Sequence, residues 1–197
     1  TMTGDVTLYA IWGSVPQPVT ITYKANGGTG LDVVIDDLAN NATHTVIDNP
    51  FTRTGYEFTG WKTEESGGDS YQPGYTVLVD NIYEDTNVLY AQWKRTLTDV
   101  KAKKIWSGGH ATDHVSVELK LYRKIAGGTE ELVDVVPLVD PESGTSDEFN
   151  YTWETQYTHD ENGNEYIYRV HEPTTPTSYN VTYSGSGHNF TVTNTYT

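Results

Sequence analysis

Thr, Val and Tyr alternate with polar residues along most of the chain, and Gly, Asn-Gly or Pro-containing stretches separate the alternating runs. A period of two is what a strand with one buried face requires, so the pattern predicts an all-β protein. Three runs in the second half are the clearest. VSVELKLYR, 115–123, puts Val115, Val117, Leu119 and Leu121 on one face; EYIYRVHE, 165–172, and NFTVTNTYT, 189–197, follow it. HDENGNE, 159–165, carries Asn-Gly, a strong hairpin signal. Many short strands broken by turns point to a β-sandwich. One run is ambiguous. In LDVVIDDLANN, 31–41, Leu31, Val34, Ile35 and Leu38 fit helical spacing, whereas the β-branched DVVI fits a strand followed by a loop.

A short repeat sets the organisation. LYAIW at 8–12 returns as LYAQW at 89–93, and recurrence at a long offset is the mark of tandem modules. Residues 1–13 then read as the last strand of an upstream copy, and the chain opens mid-pattern with no signal peptide, as an internal fragment would. The prolines of GSVPQP stiffen a linker over 14–18. A full copy occupies 19–95 and a second, different unit occupies 96–197, joined through the short KRTLTD, 94–99. Within 19–95, Gly55 reads as a turn, Tyr56, Phe58 and Trp61 as core anchors, and Asn26-Gly27-Gly28 as a loop. Lys24 alternates against Ile21 and Tyr23 and is expected outside the core.

Composition narrows the class. The net charge is −15, and both halves are acidic, with 12 acids against 5 bases in 1–95 and 15 against 7 in 96–197. No basic patch offers itself to nucleic acid or anionic lipid. No apolar run is long enough to span a membrane. Cysteine is absent, which removes disulfides and suits an extracellular protein of a Gram-positive bacterium.

The chemistry lies where alternation places polar groups on an apolar face. In VKAKKIW, 100–106, Val100, Ala102, Lys104 and Trp106 share a face. In 190–196 the face of Phe190, Val192 and Tyr196 includes Asn194; in 166–172 the face of Tyr166, Tyr168 and Val170 ends at Glu172. Burial drives a lysine to give up its proton and a carboxyl to gain one. A neutral amine is a nucleophile, and an amide held beside it is brought within reach by proximity. A protonated Glu172 would polarise the Asn194 carbonyl and then pass a proton to departing ammonia. The product is an amide bond between side chains, made once, without turnover; the chain is not expected to be an enzyme. Lys103, Asn189 and Asn180 are rivals that fail the alternation test.

KIW at 104–106, VSVELKLYR, the Y-x-V-x-E stretch from Tyr168 to Glu172 and the terminal FTVTNTYT together resemble a Cna B-type domain of Gram-positive surface proteins. That resemblance covers 96–197 and implies a seven-stranded, Ig-like sandwich with an intramolecular Lys–Asn isopeptide bond. By position the family's lysine falls on Lys104, its acid on Glu172 and its asparagine on Asn194. ITYKANGGTG at 21–30, FTRTGYEFTGW at 51–61 and NVLYAQW at 87–93 resemble the Listeria–Bacteroides repeat, also known from internalin B-repeats. This implies a small β-grasp-like extracellular module over 19–95.

HATDH, 110–114, offers two imidazoles and a carboxylate, but its setting between Gly-Gly and a strand favours a solvated loop over a metal site. DENGNE, 160–165, lacks the spacing of a calcium loop. No cofactor is expected. The expected function is a stalk or spacer of a bacterial cell-surface adhesin, the alternative a module that binds glycan or host protein. Adjacent repeats of the same chain are the expected neighbours, and host proteins or glycans would be met through other parts of the full-length protein. Wall anchoring would also lie elsewhere in the sequence.

Overall fold

The computed structural model describes residues 4, 7, 9–11, 13, 18–79, 87–139 and 147–197, the side chains of 137–139 excepted. The upstream strand expected over 1–13 and the linker over 14–18 fall largely outside these residues. Two compact units emerge, Thr1–Thr52 with Phe58–Gln92, and Arg53–Glu57 with Trp93–Thr197.

The first unit is built on a five-stranded sheet. Its strands are β1 (Val19–Lys24), β2 (Val33–Leu38), β4 (Tyr56–Lys62), β5 (Ser70–Tyr71) and β7 (Val88–Arg95), in the order β2-β1-β7-β4-β5. A separate pair joins β3 (Thr43–Thr45) to β6 (Thr76–Leu78). β1 is antiparallel to β2 and parallel to β7, the arrangement of a β-grasp-like sheet. Val19, Ile21 and Tyr23 alternate into the core, where Tyr23 meets Trp61 edge-on at 4.7 Å. Lys24 lies on the opposite side of the alternation, half-buried, with Nζ 5.9 Å from the Tyr90 ring centroid.

The helical reading of 31–41 is corrected: Val33–Leu38 is a strand. Ladder hydrogen bonds to β1 and β-branched side chains outweigh a helical spacing that has no second apolar face to meet. Two residues of β2, Asp36 and Asp37, stand against Thr20 alone, and Asp37 takes the left-handed conformation that such a bulge needs. The core anchors also need correction. Trp61 is fully buried, but Tyr56 and Phe58 are only half-buried. Gly60, at φ +137°, breaks the alternation between them, so Trp61 rather than the Tyr56/Phe58 face reaches the centre. Gly55 is a turn with φ +78°, as expected.

Among the described residues the second unit has seven strands: β8 (Leu97–Ser107), β9 (Val117–Lys124), β10 (Glu131–Val139), β11 (Glu148–Tyr157), β12 (Ile167–His171), β13 (Tyr179–Ser186) and β14 (Asn189–Tyr196). They form a three-stranded sheet, β10-β9-β12, and a four-stranded sheet, β11-β8-β14-β13. Between the sheets, Val100, Ala102, Trp106, Val117, Leu119, Leu121, Trp153, Tyr168, Val170 and Val192 make one apolar core. It is an Ig-like β-sandwich. Val115, expected inward, precedes β9 and is 48% exposed. The Asn162-Gly163 turn is present, with Asp160 Oδ1 accepting from the N–H groups of Asn162 and Asn164. It closes a minimal hairpin, with an antiparallel bridge between His159 and Glu165 and backbone hydrogen bonds from the Asp160 N–H to the Asn164 carbonyl and from the Tyr166 N–H to the Thr158 carbonyl. The pairing extends no further because β11 and β12 belong to different sheets, and this turn carries the chain from one to the other.

Candidate functional site

The inward faces of three strands supply the site. β8 turns Val100, Ala102, Lys104 and Trp106 to the core, each nearly or wholly inaccessible. β14 lies beside β8 and parallel to it, with Val192 opposite Lys104 and Asn194 opposite Trp106. Residues opposite each other share a face, so Lys104 and Asn194 look into the same space, one pleat apart. The third group comes from the other sheet. Glu172 follows the last residue of β12 and continues the inward alternation of Tyr168 and Val170.

Lys104, Asn194 and Glu172 are the only buried polar or charged residues among those described, at 0%, 0% and 2% exposure. The structure brings all three together. Lys104 Nζ stands 3.4 Å from Glu172 Oε2, and Asn194 Nδ2 donates to Glu172 Oε1 at 2.9 Å. The ammonium also donates to the Ile105 carbonyl at 3.3 Å and lies 4.4 Å from the centre of the Trp106 ring. Asn194 Oδ1 has no hydrogen-bond donor, and Glu172 Oε2 meets the ammonium without hydrogen-bond geometry. Orphaned buried acceptors cost about 1–3 kcal/mol each.

Desolvation pulls the Lys104 pKa down to about 8, against the Glu172 charge, which holds it up. At pH 7 about one Lys104 in ten is then the free amine, against fewer than about one in a thousand for an ordinary lysine.

The rivals stand elsewhere. Lys103 is partly exposed and paired with Glu148 at 2.7 Å, and Asn180 and Asn189 face solvent. The HATDH segment is exposed over residues 110–113, as expected of a solvated loop, and only His114 is partly buried. Ala111–Asp113 form one 3-10 turn, and the His114 ring stacks on Trp106 at 4.9 Å and 12°. Its Nε2 faces the Gly108 carbonyl at 3.2 Å and its Nδ1 the Asp147 carboxylate at 3.4 Å. Among the described residues no group of three His, Cys, Asp or Glu could hold a metal ion. Sequence reasoning gave Trp106 no part beyond packing, though its place two residues from Lys104 on the same face was the available signal. Among the described residues no helix is long and apolar enough to cross a membrane.

A β-sandwich module with an amine, an acid and an amide enclosed between its sheets is the class this architecture defines. Residues 100–195 match the family model of the Cna protein B-type domain, and residues 20–92 that of the Listeria-Bacteroides repeat domain. Residues 20–92 are thus a Listeria-Bacteroides repeat domain, and residues 100–195 are a Cna protein B-type domain. One curated relative, described as a Gly-rich membrane protein of Evansella cellulosilytica, is 33% identical over 86 residues, which are 41% of this chain and 10% of that protein. The matched segment spans about a tenth of that relative's length. Among solved structures, two B repeat units of the collagen binding protein of Staphylococcus aureus align over 92% of this chain and 44% of theirs, at 15% identity and TM-score 0.42. A single B repeat unit of the same protein aligns over 93% and 89%, at 15% identity and TM-score 0.37. The C-terminal fragment of the pilus adhesin SpaC from Lactobacillus rhamnosus GG aligns over 92% and 88%, at 10% identity and TM-score 0.28.

Proposed function

We propose that this chain is a stalk or spacer segment of a bacterial cell-surface adhesin, and that its second unit staples itself through an amide bond between Lys104 and Asn194. The observation that supports this reading is the convergence of the three buried polar side chains on one another.

The chemistry follows from proton positions. Transfer of one proton from Nζ to Oε2, across the 3.4 Å contact, makes the nucleophile and the general acid in a single step. A half-turn of the Asn194 amide exchanges Nδ2 and Oδ1, so that the carbonyl oxygen takes the hydrogen-bond position at Glu172. Nζ then attacks Cγ, and the Glu172 carboxyl group, rotated so that its O–H faces Oδ1, stabilises the developing oxyanion. As the Cγ–Nδ2 bond breaks, Glu172 passes a proton to Nδ2, and the amine's surplus proton returns to the carboxylate. One Nζ–Cγ bond forms, one Cγ–Nδ2 bond breaks, and one ammonia leaves. The dry surroundings strengthen each electrostatic contact and exclude the water that would otherwise compete.

Intact mass spectrometry tests the reading. The purified protein is expected to be lighter than its sequence by the mass of one ammonia. Lys104→Ala, Asn194→Ala and Glu172→Ala are each expected to have the full sequence mass. A wild-type mass equal to the sequence mass rejects the staple.

A further inference from the structure

Glu172 must be held in place by something other than its strand. The last ladder pair of β12 is His171 with Lys120, and β12 is the outer strand of its sheet. Pro173 follows Glu172 and has no N–H to offer. The main chain of the acid is therefore beyond the reach of the β9 ladder.

Tyr183 takes over. It lies on β13, opposite Val192 of β14, so its side chain is on the core-side face, at the open margin of the four-stranded sheet. The ring reaches across to the other sheet. The Glu172 N–H donates to the Tyr183 hydroxyl at 3.2 Å, and the hydroxyl lies 3.3 Å from the Glu172 carbonyl and 3.1 Å from His171 Nδ1. One hydroxyl thus grips both main-chain polar groups of a single residue. Its proton goes to the Glu172 carbonyl when His171 Nδ1 carries hydrogen, and is shared between two acceptors when Nδ1 carries a lone pair.

The consequence is geometric. β13 pairs with β14, which bears Asn194, and β14 pairs with β8, which bears Lys104. Tyr183 ties the main chain of the acid to the sheet that holds both of its partners. The geometry points to Tyr183 as a positioning residue for the cross-linking reaction: its hydroxyl fixes the register of Glu172 against Lys104 and Asn194. This inference rests on the self-stapling reading for its consequence, but the clamp itself can be measured apart from it.

The test is Tyr183→Phe, which keeps the ring and removes the hydroxyl. Wild type and variant are made by cell-free synthesis, and loss of ammonia is followed by intact mass over time and across pH. The variant is expected to react about ten- to a hundredfold more slowly, the scale on which small misplacements act, with the midpoint of its pH profile unmoved, since Lys104 sets it. Thermal melting in an Asn194→Ala background separates this from a loss of fold: the added Tyr183→Phe change is expected to shift that transition little. A variant that reacts at the wild-type rate overturns the proposal, and so does a rate loss matched by collapse of the melting temperature.

Amide hydrogen exchange at Glu172 reads the clamp directly. Its N–H is expected to be protected in the wild type and to exchange on the order of tenfold faster in the variant. If wild type never loses ammonia, the stapling reading fails by itself and the exchange data judge the clamp. If Tyr183→Phe does not fold, wild-type exchange decides: an unprotected Glu172 amide overturns it.

Discussion

Replacing Glu172 by glutamine isolates the energetic effect of the proposed staple. The substitution keeps the volume of a fully buried side chain and its ability to accept from Asn194, but it removes the group that carries the proton, so the bond does not form. Two consequences follow. The first is the loss of a closure spanning about 90 residues between Lys104 and Asn194. By the chain-entropy relation for a covalent cross-link, a loop of that length contributes about 4–5 kcal/mol. The second concerns the amine. The Glu172 charge is what holds the Lys104 pKa up against desolvation, so without it the amine's pKa falls further below about 8 and the group is buried neutral, which limits the additional penalty. For a unit of about 100 residues, about 4–5 kcal/mol corresponds to roughly 20–30 °C in melting temperature. Differential scanning calorimetry of wild type and Glu172→Gln measures it, with intact mass confirming the covalent state of each. A transition within about 5 °C of the wild type, in a variant shown to retain its ammonia, refutes the claim that the staple dominates the stability of this unit.

Other expectations follow from individual groups. In the unstapled Asn194→Ala protein, the depressed Lys104 pKa means that the unfolded chain binds more protons than the folded one between about pH 8 and 10; stability of the second unit should rise over that window, by on the order of 3 kcal/mol, and the rise should vanish when Lys104→Met is added. In the first unit, desolvation lowers the pKa of His44, whose Nε2 sits 2.8 Å from the buried Tyr23 hydroxyl. That stability is present above the ordinary histidine range and is lost as pH falls through it, so acid should unfold the first unit, read by fluorescence of buried Trp61, less readily in His44→Gln. Lys103→Ala should leave the ammonia loss intact and change stability by less than about 1 kcal/mol, because its pair with Glu148 is solvent-exposed.

The site was legible because a strand declares its faces locally. Lys104, Asn194 and Glu172 each interrupt an apolar stripe at the period of two, and nothing beyond that period was needed to single them out. What the sequence left hidden is nonlocal. DENGNE carries the chemistry of a hairpin, yet the chain uses it to change sheets, because pairing partners are chosen by the whole sandwich. Gly60 displaces the alternation of β4, so Trp61 takes the central place that Tyr56 and Phe58 also satisfied on paper. The 31–41 segment carries both helical spacing and β-branched residues, and the β1 ladder decides between them. His114 lies in a polar, glycine-flanked stretch that reads as solvated; the flat Trp106 surface that receives it is near in sequence, but the two rings meet only once the chain turns back after β8. Tyr183 was equally mute, since its importance resides in a main-chain partner on another sheet.

The parallel pairing of β8 with β14 has a mechanical meaning. The entry end of β8 and the exit end of β14 lie at opposite ends of the pair, so a pull on the two termini of this unit shears all the rungs between them together and does not peel them one by one. With Nζ and Cγ joined as proposed, even that shearing would be short-circuited: the nearly 90 residues between the joined positions hold roughly 300 Å of extended chain, and none of it could pay out under force.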